Sequence, residues 1–300
     1  MEDLILGIET VFDNPRLIIM WIISFSLLYF GIFKKKEPLL LIPISMGLFF
    51  ANLPLSEFVW LEKEGHTAGL LITFQKIGME SDIFPLLIFL GVGASTDFGP
   101  MLRNPKTLLL GAGAQMGVFI SLLGALFLGY FKIFDFGLLE ASSIGIIGGA
   151  DGPTTIFIST RMRELGESLS GVEVMDIVGA TAIAAYSYMA LVPIIQPPLI
   201  KLFTTKKERR IKMNQLVQDT PYYVKIIFPI LSILIISILV PSASTLIGML
   251  MLGNLIKVSG VVPRLADVSE NSLMNVTIIF LGLAVGSTMP AEVFLRWETI

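Results

Sequence analysis

Asp151 stands inside the octet Gly148-Gly149-Ala150-Asp151-Gly152-Pro153-Thr154-Thr155, at the centre of a run from Ile144 to Ile158 that is otherwise mostly apolar. A regular helix cannot run through it. Glycine weakens helix, while Pro153 lacks an N–H and drives Gly152 towards extended geometry. The break frees backbone amides and carbonyls where hydrocarbon leaves them unsatisfied, and adds a carboxylate costing about 2.5 kcal/mol or more at membrane depth. Every donor on offer is oxygen: the Asp151 carboxylate, carbonyls near Gly149 and Ala150, and the Thr154 and Thr155 hydroxyls. That set suits sodium, a hard cation, by analogy with calcium and magnesium. Transporters build small-ion sites from broken helices of this kind. The competing reading of Asp151 is a carboxylate that merely caps the half-helix beginning at Pro153.

Tyr186-Ser187-Tyr188 is the second candidate. Tyrosines two apart on a helix point about 200° from one another, so a single site receives only one. A buried phenol, with a pKa of about 10, holds its proton until a stronger base draws it off, which suits a proton donor. Either tyrosine is otherwise an anchor in the interfacial aromatic belt. Asp97, beside Gly99-Pro100, lines the same site or caps a helix at the membrane surface. His66, the single histidine, lies in a Glu/Lys-rich loop and reads as a solvated side chain.

The elements that must position these residues are membrane spans. Hydrophobic residues make up 54% of the chain and charged residues 15%, with a mean hydropathy of +0.81. The fold expected is all-α, a polytopic helix bundle in a lipid bilayer with broken or re-entrant helices. A net charge of −3 gives no sign of nucleic-acid binding, and the absence of cysteine excludes disulfides, thiolate catalysis and Cys-based metal sites. Apolar segments lie near 16–33, 38–55, 83–100, 107–131, 136–160, 172–198, 222–240, 243–258 and 273–290, most of them long enough to cross as helix. Residues 68–79 read as a half-helix or an interfacial piece.

Charge orients the spans. Lys34-Lys35-Lys36 and the run from Lys201 to Lys212 belong on the cytoplasmic side, which leaves the acidic N-terminus outside. If Arg103 and Lys106 are also inside, residues 107–131 cross outward, and two further full spans would put Lys201–Lys212 outside. One of the two must therefore enter and return, and the segment broken at Asp151 is the natural choice.

The chain also repeats itself. Ile88-Phe89-Leu90-Gly91, then Ala94-Ser95-Thr96, echoes Ile279-Phe280-Leu281-Gly282, then Gly286-Ser287-Thr288. The offset drifts only from 191 (Leu90 to Leu281) to 193 (Arg103 to Arg296), as a duplicated transporter half would show, with the two Ser-Thr segments running in opposite directions. The organisation expected is one membrane domain: an N-terminal helix within 1–37, a first repeat over 38–200, a basic loop at 201–221 and an incomplete second repeat over 222–300. A counterpart of Asp151 would fall beyond Ile300, so a truncated protein is expected.

Residues 93–102 (Gly-Ala-Ser-Thr-Asp-Phe-Gly-Pro-Met-Leu), 111–115, 147–155, 185–193 and Gln196-Pro197-Pro198 together resemble the beta subunits of the sodium-pumping, biotin-dependent decarboxylases. Those complexes act on oxaloacetate, methylmalonyl-CoA, glutaconyl-CoA or malonate. The resemblance runs from about Glu37 to the end of the chain and rests on several ordered motifs. It implies a multi-pass subunit of the prokaryotic cytoplasmic membrane, oligomeric in its complex. Its partners would be a carboxyltransferase subunit, a biotin carrier domain and a small membrane-anchored gamma or delta subunit. Such a subunit decarboxylates carboxybiotin, consumes a proton and exports sodium. The family's ion-coupling aspartate maps onto Asp151, with Gly149, Ala150 and Thr154 beside it as sodium ligands. Its functional tyrosine maps onto Tyr188, while Asp97, Tyr186 and Ser187 are weaker candidates. The family's later Asn-, Ser- and Arg-bearing motif has no match here. The residues alone fit equally well a sodium-coupled secondary transporter without catalysis.

Overall fold

The computed structural model describes residues 2–54, 57–59, 68–169, 177–212 and 220–296. Among them all regular structure is helical. The helices are α1 (Glu2–Asp13), α2 (Arg16–Ile32), α3 (Pro38–Ala51), α4 (Leu70–Phe74), α5 (Ile83–Ser95), α6 (Gly99–Arg103), α7 (Leu108–Tyr130), α8 (Leu138–Ile147), α9 (Gly152–Ser168), α10 (Val178–Phe203), α11 (Tyr222–Leu239), α12 (Ser244–Ser259), α13 (Pro263–Asp267), α14 (Met274–Ser287) and α15 (Ala291–Phe294). Among the described residues, four helices are long and apolar enough to span a membrane, and up to six if each bent pair counts as one. Their exposed faces carry large apolar side chains, Leu108, Leu109, Phe119 and Phe127 on α7 and Ile227, Leu234 and Leu239 on α11, as lipid-facing helices require.

The apolar segments become helices, with breaks placed by local chemistry. The acidic N-terminus forms α1, which meets α2 at 89°. Residues 38–55 form only the 14-residue α3. Residues 68–79 become α4 and a π turn (Gln75–Met79), bent by 60° from α5. The α5 helix stops at Ser95, short of the expected end at 100, and resumes as α6. The sequence α2, α3, short helix, π turn, α5, irregular break, α6 recurs as α11, α12, α13, π turn (Val268–Leu273), α14, break, α15.

Close packing sets the directions of the helices. The α2 and α3 helices form an antiparallel hairpin around Lys34-Lys35-Lys36, with the Ser24 hydroxyl donating to the Ser45 carbonyl and Trp21 Nε1 to the Asn52 carbonyl. The α3 helix lies parallel to α14: a Cβ on Gly47 would sit 2.3 Å from the Leu283 oxygen, and one on Gly282 would sit 2.6 Å from Pro43 Cβ. Small residues permit that approach, as between many membrane helices. The α5 and α14 helices run antiparallel, with Gly91 against Met274 and Phe84 against Phe280, in agreement with the opposed Ser-Thr segments.

The re-entrant reading can now be traced. In α7 and α8, Gly129 packs on Phe136, Gly145 on Leu122 and Gly148 on Gly117, so the helices are antiparallel. Gly117 is mid-way along the span Pro105–Tyr130, about 18 Å from either end at 1.5 Å per residue. The α8 helix therefore ends at half-depth. The α9 helix packs back on α8 and runs antiparallel to α10, with Gly152 against Tyr186 and Ser159 bonded to Thr181 at 2.9 Å. Gly179, at the start of α10, packs on Thr288 and Met289 beyond α14. That end of α14 is remote from the Lys34–Lys36 turn. Arg103 and Lys106 at the start of α7, the Lys34–Lys36 turn and the run Lys201–Lys212 thus fall on one side, and α8 and α9 both have their outer ends on the other.

Candidate functional site

The break between α8 and α9 is made by two residues. Three successive amides, those of Gly148, Gly149 and Ala150, donate to the carbonyls of Gly145, Ile146 and Ile147, each at 3.0 Å, tightening the last turn of α8. Ala150 then takes φ +54°, a left-handed conformation uncommon for a residue with a Cβ and characteristic of functional turns. Asp151 is extended (φ −129°, ψ +104°). The extended residue is therefore Asp151 and not Gly152, which already begins α9; without a Cβ, Gly152 tolerates the proline that follows in the first helical turn.

Asp151 occupies the N-cap position of α9, yet its side chain caps no backbone amide. One carboxylate oxygen accepts a short hydrogen bond from the Thr154 hydroxyl, while the Asp151 backbone carbonyl takes the amide (3.0 Å) and hydroxyl (2.8 Å) of Thr155. The carboxylate remains partly accessible beside the positive end of α9. A capping role alone does not account for it. Gly149 and Thr154 are half-buried and Ala150 is exposed.

Tyr186 closes the other side. It is 2% exposed, and a Cβ on Gly152 would lie 2.2 Å from its Cε1 and Cζ and 2.6 Å from its hydroxyl oxygen. That hydroxyl is buried without a hydrogen-bond partner among the described residues, and the Asp151 and Glu37 carboxylates act on it electrostatically. Tyr188, the tyrosine taken from the family resemblance, is 42% exposed on the opposite side of α10. The side chain of Ser187 lies outside the described residues, as does His66. Asp97 is exposed and accepts the Gly99 amide at 2.8 Å, just ahead of α6.

Sequence reasoning missed one further feature. Asp82, 4% exposed between the α4 π turn and α5, pairs with Arg161 nearly three turns along α9 from Asp151, while Arg163 pairs with Glu80. Alternating charges in residues 161–167 were the available signal; the partners, some 80 positions earlier, were not.

A family model described as the Na+-transporting oxaloacetate decarboxylase beta subunit matches residues 16–300. The chain is 50% identical to the glutaconyl-CoA decarboxylase subunit beta of Acidaminococcus fermentans, over 94% of this chain and 68% of that one. It is 47% identical to the methylmalonyl-CoA decarboxylase subunit beta of Veillonella parvula, over 100% and 75% respectively. With the oxaloacetate decarboxylase beta chain of Klebsiella pneumoniae the identity is 42%, over 100% and 78%.

Proposed function

The chain belongs to the family of Na+-transporting decarboxylase beta subunits, and from that premise we propose that Asp151 and Tyr186 couple the decarboxylation of carboxybiotin to the export of sodium. It is a multi-pass membrane subunit of a decarboxylase complex coupled to sodium transport. The finer assignment rests on one observation: at half-depth, a carboxylate that caps nothing faces a buried phenol with no hydrogen-bond partner among the described residues.

Sodium is the cargo. Asp151 supplies the charge that holds it, with the Thr154 hydroxyl and the carbonyls of Gly149 and Ala150 completing an oxygen shell. Carboxybiotin on a partner subunit supplies the carboxyl group, and its loss as carbon dioxide leaves a nitrogen that takes up one proton. Tyr186 holds that proton at its hydroxyl oxygen, and burial beneath Gly152 keeps water from replacing it. Sodium arriving at Asp151 favours release of the phenolic proton by charge, so ion entry and proton delivery are linked. The basic loop Lys201–Lys212 lies on the side where a carboxyltransferase and an acidic biotin carrier would dock, which for a prokaryotic protein is the cytoplasm. A small gamma or delta subunit completes the proposed complex.

The test uses the full-length complex in vesicles loaded with biotin carrier. Sodium-stimulated carbon dioxide release, abolished in Asp151→Asn and slowed in Tyr186→Phe, supports the reading. Sodium flux through the subunit without a carboxylated carrier, unaltered by adding one, would replace it with a secondary transporter.

A further inference from the structure

We infer a binding site for one phospholipid with an amino headgroup, in the cleft between α9 and the turn Pro241–Ala243 that joins α11 to α12. The cleft opens in the leaflet opposite the Lys34–Lys36 turn. It lies apart from Asp151 and Tyr186, and its occupant does not depend on which ion or proton those residues carry.

The cleft holds about 650 Å³, within the usual range of small-molecule sites. Phe157, Ile158, Met162 and Leu165 line it from α9, and Ala243 and Leu246 from the start of α12. Their depth follows from the broken helix. Counted at 1.5 Å per residue from Gly152 at half-depth, Phe157 and Ile158 lie about 7–9 Å from the bilayer midplane, and residues 161–168 about 13–24 Å. A tilt of about 20°, usual for such helices, shortens these values only slightly. The hydrocarbon ends about 15 Å from the midplane. One end of the cleft is therefore immersed among acyl chains and the other is level with headgroups, a division that matches an amphiphile.

Arg161 organises the polar end. It is held from three sides, by Asp82 across the elbow before α5, by Glu164 at 3.1 Å on its own helix, and by the Phe157 ring, 5.7 Å from the guanidinium carbon. Yet 49% of its side chain is exposed. The two ion pairs engage two of its five N–H groups, so donors fixed in advance remain for a phosphate. Glu164, Ser168, Ser242 and Thr245 complete the lining. Glu164 accepts N–H donors, and the Ser168 hydroxyl, which donates to the Leu165 carbonyl at 2.7 Å, has only lone pairs left to offer. These acceptors suit a primary ammonium, which carries N–H groups, better than a choline, which carries none. Charge disfavours an anionic lipid: Asp82 and Glu164 outnumber Arg161, and Glu80 and Glu167 outnumber Arg163 beyond it.

The two walls of the cleft have different origins. The α9 helix starts from Asp151, whereas α12 belongs to the second repeat. A lipid seated between them joins the ion-binding hairpin to that repeat, its phosphate on Arg161 and its chain against Leu246, so sodium-coupled decarboxylation becomes sensitive to the headgroup.

The experiment places the full-length complex in bilayer discs containing a trace of photoactivatable phosphatidylethanolamine and reads, by mass spectrometry, crosslinks to the peptide carrying residues 157–168. Unlabelled phosphatidylethanolamine, phosphatidylcholine and phosphatidylglycerol with identical acyl chains compete. Phosphatidylethanolamine should compete about tenfold or more better than the other two, the equivalent of one hydrogen bond to a charged group. Leu246→Trp, which fills the apolar end, should abolish the crosslink, with Leu246→Phe as the milder variant if the first does not fold. Glu164→Gln should erase the preference for ethanolamine over choline while the crosslink persists. Equal competition by all three lipids would overturn the site and leave ordinary boundary lipid. So would crosslinking that both substitutions leave unchanged. Absence of a crosslink, with Ser242→Cys reacting freely with an impermeant thiol reagent, would make the cleft a water-filled one, and a change of oligomeric state in Leu246→Trp would assign it to a second copy of the chain.

Discussion

Tyr186 lies against Gly152, so close that one added methyl group would sit 2.2 Å from two of its ring carbons. Real contacts of that kind do not exist, and the aromatic ring belongs to the same buried core as Ala182, Val178 and Ile156. Gly152→Ala should therefore push the ring away from Asp151 and destabilise the protein by about 1–3 kcal/mol, the usual consequence of overpacking. Thermal unfolding of the detergent-solubilised protein checks this.

The two tyrosines separate by the direction in which they point. Tyr186→Phe keeps the packing and deletes only a buried hydroxyl, so decarboxylation should fall about a hundredfold, within the range of a lost general acid. Tyr188→Phe, altering a 42% exposed side chain, should stay within a factor of about two of the parent. Initial rates of carbon dioxide release at saturating sodium distinguish them, and the opposite ranking would return the proton to Tyr188.

Thr154 donates its hydroxyl to the Asp151 carboxylate. A hydrogen bond to a charged group contributes about 1.5–3 kcal/mol, so Thr154→Val should raise the sodium concentration for half-maximal rate about tenfold or more, and Thr154→Ser should restore it. Equal half-saturation in all three proteins would show that the hydroxyl neither holds nor orients the carboxylate.

The absence of native cysteine makes topology directly measurable. Cysteines introduced at Asp135 and Ser168, at the outer ends of the α8–α9 hairpin, should react with impermeant reagent from the side opposite Lys206. Labelling of Ser168→Cys from the Lys206 side would mean that α9 crosses instead of returning.

The outline of this protein was legible in its sequence because lipid leaves the backbone few choices. Span α7 is found where hydropathy puts it, and three glycines with Pro153 announce a break. What sequence did not reveal is the residue that absorbs the break. Pro153 pointed to Gly152, whereas the left-handed turn falls on Ala150 and the extended residue is Asp151, where three tightened amides of α8 end. Nor could it choose between Tyr186 and Tyr188, since both are apolar-faced tyrosines on one helix and only the approach of Gly152 decides. The hydrogen bond from Asn52 to Met289 spans 237 residues. It exists because α3 packs on α14 from the other repeat, a pairing that no local pattern encodes.

Sodium affinity of the full-length complex with Asp151→Asn tests the central claim most directly. The amide keeps the shape and removes the charge, so the parent's coupling of carbon dioxide release to sodium should vanish, with affinity at this site reduced about a hundredfold or more while the protein stays folded, since an unshielded intramembrane carboxylate is tolerated only for its ion. A folded Asp151→Asn complex that still releases carbon dioxide with the parent's dependence on sodium would contradict the account.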